Sequence, residues 1–322
     1  MSYSPPSSDR GLFGLLLGDG RPALAVVGLA LAVAGGFAVF VAARGEFLPH
    51  DVAFLGMTPG DLCAVNECRV VHFMVHDRVA FGGALVAIGT MYLWLAAGPM
   101  GHGERWTWDV LAASGAIGFA SFLAYLGYGY LDTWHGAATV TLAPLFLAGL
   151  AAARRHIAWR SHESRWFKRP VWLTSWRDRV CVGRVLLLVV AAGMVGGGLT
   201  IMAVGMTTVF VPEDVAFIGM GRAELRAINP RLVPLIAHDR AGFGGAVCCG
   251  GVLLAGVVWR GELDRAGRQA LALAGLAGFG SAILVHPAIG YDDLWHLAPA
   301  LGGAAFFAVG GWLTQAAPLR LG

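Results

Sequence analysis

The sequence predicts an all-α integral membrane protein of eight transmembrane helices, arranged as two parallel four-helix repeats with both termini cytoplasmic. Three observations carry that prediction. Of 322 residues 57% are apolar and only 13% are charged, about half the charge of an average soluble domain. Eight stretches approach the roughly 20 apolar residues that a helix needs to cross a bilayer. The second half of the chain repeats the first in order and spacing. Intrinsic disorder is excluded, because it requires low hydrophobicity and high charge. The 47 glycines show no period of three, so collagen is excluded. A dispersed net charge of +3 argues against nucleic acid as a partner.

The spans are expected near 22–43, 79–98, 109–128, 136–153, 185–206, 241–259, 269–286 and 297–314. The first is too long for the apolar core of a signal peptide, and its counterpart at 185–206 lies where no signal can. Orientation follows from the basic residues. With the N-terminus inside, the inner segments carry 16 of the 23 Lys+Arg, and the outer segments carry 12 of the 20 Asp+Glu. The expected localisation is therefore an inner membrane, both termini on the cytoplasmic side. Residues 1–153 form the first repeat and 185–322 the second. The basic, Trp-rich connector 154–184 is expected on the inner leaflet, where such composition suits headgroups.

Three islands define the repeat. Asp51 to Met57 (DVAFLGM) recurs as Asp214 to Met220 (DVAFIGM). His76-Asp77-Arg78 with Phe81-Gly82-Gly83 recurs as His238-Asp239-Arg240 with Phe243-Gly244-Gly245. Gly129-Tyr130, Asp132 and Trp134-His135 recur as Gly290-Tyr291, Asp293 and Trp295-His296. All three fall at the outer ends of the expected spans, while the lipid-facing stretches between them have diverged. An even number of helices per repeat makes the copies parallel, unlike the inverted repeats of many transporters.

Ionisable groups near a membrane are costly and point to function. Within each half, His76 with His135 and His238 with His296 are expected at one depth, facing each other across a bundle. Two imidazoles and a glycine-lined slot (Gly82, Gly83, Gly115, Gly118 and Gly244, Gly245, Gly275, Gly278) would suit haem, with Arg78 and Arg240 meeting its propionates. Alternatively, the same histidines with Asp51, Asp132, Asp214 and Asp293 offer the donor set of a Zn or Fe site. A structural reading makes the aspartates helix caps in a non-catalytic subunit or a small-solute carrier. Under the haem reading the expected partners are the bilayer and a membrane redox protein or quinone, and a homo-oligomer is compatible with all three. His286 reads as a core histidine. Cys63 and Cys68 lie in the first outer loop, where a disulfide is plausible.

The layout resembles the haem A synthases, eight-helix proteins of two four-helix halves. Their paired haem-ligand histidines lie on the second and fourth helices of each half, and they carry a cysteine pair in the first outer loop. The resemblance implies His76, His135, His238 and His296 as haem ligands. Phe73 and Leu235 stand one turn before the histidines, where that family has a glutamate in its first half.

Overall fold

A computed structural model describes residues 18–122, 130, 132–157, 170, 172, 173, 175–261 and 263–315. Among these residues there is helix and no strand. The elements of the first half are α1 (Arg21–Ala43), α2 (Pro49–Leu55), α3 (Pro59–Asn66), α4 (Arg69–Ala97), α5 (Arg105–Ser121) and α6 (Thr133–His156). The same order returns as α7 (Arg179–Met206), α8 (Pro212–Ile218), α9 (Arg222–Ile228), α10 (Leu232–Arg260), α11 (Arg265–Ile289) and α12 (Leu294–Thr314). Among the described residues seven helices, all the long ones except α5, are long and apolar enough to cross a membrane. The third expected span corresponds to α5, which is described for 17 residues; residues 123–128 of that span lie outside the described residues.

Several helix starts are written into the sequence. Thr58 opens α3 with a capping box, accepting the Asp61 N–H while Asp61 accepts from Thr58. Asp132, Asp178, Asp264 and Asp293 each accept a backbone N–H at the start of α6, α7, α11 and α12. Two starts differ from expectation. α4 and α10 begin at Arg69 and Leu232, so His76 and His238 sit about two turns inside rather than at an entry. The helix continues through His-Asp-Arg because each charged group there finds a partner.

α4 and α10 are the most buried of the seven long helices and pack on each other at the centre. α1 lies along α4 and α7 along α10. The approach is close enough to require glycine on both sides: a Cβ on Gly28 would lie 3.0 Å from the Gly89 carbonyl oxygen, and one on Gly198 would lie 2.6 Å from that of Gly244. The other flanks are exchanged between halves, with α11 of the second half packing on α4 and α5 of the first half packing on α10. Gly83 makes room for Ser281 of α11, and Gly245 for Ser121 of α5. The repeated Phe-Gly-Gly therefore serves two helix contacts at once, one glycine facing each neighbour. These four glycines face helices rather than a cavity, and Gly115 lies against Phe146; Gly275 and Gly278 do line a cavity, together with His76, His286 and His296.

Two apolar cores result. One runs along the long helices, around Leu95, Leu111, Leu187 and Val257. The other fills the end where α2, α3, α8 and α9 lie, around Leu62, Phe73, Ile218, Leu225 and Leu235. At that end the halves are bolted reciprocally. Asn66 donates to the carbonyl of Ile218 at 3.2 Å, and Asn229 to that of Leu55 at 2.8 Å. Cys63 and Cys68 form a disulfide joining α3 to the start of α4. The described part of the connector docks through Trp172, whose indole N–H donates to the Trp259 carbonyl at the far end of α10.

Candidate metal centres

The His-Asp-Arg triplets of α4 and α10 meet at the centre of the α2/α3/α8/α9 end. Arg78 pairs with Asp51 at 2.8 Å and Asp239 at 2.8 Å. Arg240 pairs with Asp214 at 2.7 Å and Asp77 at 3.2 Å. Each guanidinium thus holds one carboxylate from its own half and one from the other. Tyr130 donates to Asp51 at 2.7 Å, and Tyr291 to Asp214 at 3.0 Å. Burial raises both tyrosine hydroxyls above their ordinary range, and the neighbouring carboxylates raise them further. A buried charge stripped of its partner is strongly destabilising, so this lattice is satisfied internally. Arg78 and Arg240 are thus engaged by carboxylates. Asp214 has both oxygens taken and belongs to no candidate metal group among the described residues. Asp51 accepts from Tyr130 and Arg78, yet lies with His50 and Asp132 in a group whose ligand atoms are within 4.8 Å of one another.

Around the lattice the histidines gather into two clusters, and they pair across the halves rather than within them. His76 of α4 faces second-half residues, its ring centroid 4.6 Å from that of His286 and 5.4 Å from that of His296. His238 of α10 faces first-half residues, with its Nε2 3.1 Å from His135 Nδ1. The cause is the exchange of α5 and α11: each packs on the central helix of the other half, and the helix that follows it brings its first-turn histidine, His135 or His296, to that central helix.

In the first cluster His76, His286 and His296 bring ligand atoms within 4.8 Å of one another. His286 is 3% exposed. Its Nδ1 lies 2.8 Å from the Ala282 carbonyl, which can only accept, so Nδ1 carries the proton and Nε2 the lone pair. That Nε2 is buried without a hydrogen-bond partner among the described residues. His76 Nδ1 similarly contacts Asp77 Oδ1 at 2.9 Å, the carboxylate–histidine pairing that orients metal ligands.

In the second cluster Asp132, His135 and His238 close a triangle. Asp132 Oδ2 lies 2.9 Å from His135 Nδ1 and 3.7 Å from His238 Nε2, and the two nitrogens are 3.1 Å apart. Bonds of about 2.0–2.1 Å to a tetrahedral ion put ligands about 3.3 Å apart, close to all three edges. His50 Nε2 adds a fourth group, 3.0 Å from Asp132 Oδ1. Burial alone would raise the Asp132 carboxyl, but the hydrogen bond and charge of His135, the charge of His50 and the His135 backbone N–H together hold it well below the usual range.

Of the expected ligands, then, His76, His135, His238, His296 and Asp132, and Asp51 beside His50 and Asp132, are brought into groups that could hold an ion. Asp293 caps α12 through the His296 N–H and belongs to neither cluster among the described residues. His50 and His286 join the clusters although the repeat does not mark them: Glu213 and Tyr125 are their counterparts, and Tyr125 lies outside the described residues. The signal that could have found His50 is its place beside Asp51. The ligand atoms within each group lie close enough together to hold one metal ion. No family model matches this chain, and comparison with characterised proteins and with solved structures found no match.

Proposed function

We propose that the chain is a non-haem membrane metalloenzyme with two divalent transition ions, iron or zinc, one in each histidine cluster. It is an eight-span inner-membrane protein with both termini cytoplasmic and the clusters near the outer face, as the charge asymmetry and the repeat require. The observation that carries the reading is the Asp132, His135, His238 triangle, with edges of 2.9, 3.7 and 3.1 Å. Two histidines and a carboxylate are the donor set of non-haem iron centres. Three histidines are the donor set of catalytic zinc sites such as that of carbonic anhydrase. Three protein ligands leave an open position in each, where the ion can activate water or polarise an oxygen of a substrate. Asp77 and the Ala282 carbonyl hold the protons of His76 and His286 on Nδ1, so that the Nε2 lone pairs face the site.

The test is elemental analysis and absorption spectroscopy of the detergent-purified protein. Two equivalents of iron or zinc per chain are expected, falling to one in His286→Ala and to one in Asp132→Asn. A Soret band with stoichiometric haem would return the site to the haem reading. Absence of any metal after reconstitution with Fe(II) or Zn(II) would leave the clusters as packing and capping devices.

A further inference from the structure

A cavity of about 770 Å³ opens from the tri-histidine cluster into the apolar interior, between α4, α7, α10, α11 and α12. Its charged and imidazole groups gather at one end: His76, His286 and His296 with Asp77, Glu213 and Arg240. From there its walls become apolar and descend to Met91 on α4, Leu254 on α10 and Leu271 on α11. His76 to Met91 is 15 residues of helix, about 22 Å of length. The cavity is therefore long and narrow, with a charged and metal-ligating head and an apolar tail running along the helices.

Its side is open in a particular place. α7 and α12 touch at Gly183 and Gly310, where an added Cβ would lie 2.8 Å from the opposing carbonyl in either direction. Nearer the histidines, at Gly193, Gly197 and Gly302, an added Cβ would meet nothing within 4 Å. All three glycines line the cavity and are exposed. In a bilayer the surface between α7 and α12 faces lipid.

We propose that this cavity binds one long-chain amphiphile whose head carries an oxygen ligand, admitted sideways from the membrane between α7 and α12. The inference rests on the metal reading of the tri-histidine cluster and names its substrate class. The head oxygen takes the open position of the ion at His76, His286 and His296, and the chain fills the tail of the cavity. Extended chain advances roughly 1.25 Å per carbon–carbon bond, so 22 Å accommodates about 16 to 18 carbons. The glycines are the entry: no side chain at 193, 197 or 302 blocks the path from lipid.

The experiment is photo-crosslinking in nanodiscs with hexadecanoic acid carrying a terminal diazirine. Hexadecanol with the same terminal group and an isoprenoid quinone as competitor distinguish acid, alcohol and quinone heads. Adducts are expected at the deep end, on the peptides holding Met91, Leu254 and Leu271. They should be lost in Gly197→Leu and in Gly302→Leu, variants that fill the path without touching a ligand and that retain full metal content. Competition by one head class and not the others identifies the source of the amphiphile. Adducts confined to the outer surfaces of α1 and α6, or deep adducts undiminished in both glycine variants, would overturn the proposal. Deep labelling of a metal-free wild-type protein would instead refute the metal reading and with it the head-ligand part of this inference, while the lipid cavity would stand. The wild-type labelling pattern does not depend on either variant folding.

Discussion

The two histidine clusters occupy equivalent places on α4 and α10, yet they differ in every feature that would do chemistry. One offers three imidazoles and heads a cavity of about 770 Å³. The other offers two imidazoles and Asp132, with His50 at hand. The frame around them is duplicated closely: the Arg–Asp pairs, the tyrosine donors, the asparagine bolts and the glycine contacts all recur with the same partners exchanged. The lesson is a division of labour, in which repeated residues build the frame and unrepeated ones, His50, Glu213 and His286, set the chemistry of each cluster.

The largest effect that would break this comparison is removal of a shared frame member. Arg240→Met leaves Asp77 and Asp214 buried without their cation. A loss of about 3–5 kcal/mol is expected from such a broken pair, read as a lowered unfolding midpoint in detergent. Because Arg240 binds carboxylates from both halves, metal should be lost from both clusters. Loss from the tri-histidine cluster alone would show that the two frames are independent.

A smaller and sharper effect comes from Asp132 and Asp293, which cap equivalent helices. Asparagine caps about as well as aspartate, so Asp293→Asn should change stability by no more than about 0.5 kcal/mol, whereas Asp132→Asn keeps the cap but loses the charge that His50 and His135 surround. Only the Asp132 variant should lose an ion. Equal metal content in the two variants would reduce Asp132 to its capping role.

The smallest effect is in pH. Asp132 is held below its ordinary value, so its contribution to stability of the metal-free protein is complete above the unfolded-state value of 3.8 and is lost as pH falls towards the folded-state value. The unfolding midpoint of the apoprotein should drop less steeply between about pH 4 and pH 2 in Asp132→Asn than in wild type. Parallel curves would place the low value of Asp132 in doubt.

Much of the fold was legible because it is written in composition and recurrence. Apolar length marks the spans, and six identical residues out of seven between Asp51–Met57 and Asp214–Met220 mark the duplication. His76, His135, His238, His296 and Asp132 were legible as a set for the same reason. Their pairing was not, because recurrence says that two halves are alike and not which half a helix leans on. The sequence leaves Arg78 and Arg240 between propionates and the nearby aspartates; which carboxylates hold each of them, one from the distant half, was not legible for a related reason. His286 reads as a core histidine, with a role in making the second site unequal to the first as the lesser reading, because its counterpart is Tyr125 and repetition gives no weight to what occurs once.

The exchange of α5 and α11 carries a consequence for descent. A single four-helix unit pairing with a copy of itself would have formed both clusters at a two-fold interface, and symmetry would have forced them to be identical. Any substitution in the ancestral gene would have changed both sites together. Joining the copies into one chain removes that constraint while keeping the interface. Each cluster then depends on both halves for its ligands, but each ligand can change alone. A histidine could arise at position 286 without one at 125, and a site that opened towards lipid could do so while its twin kept another task.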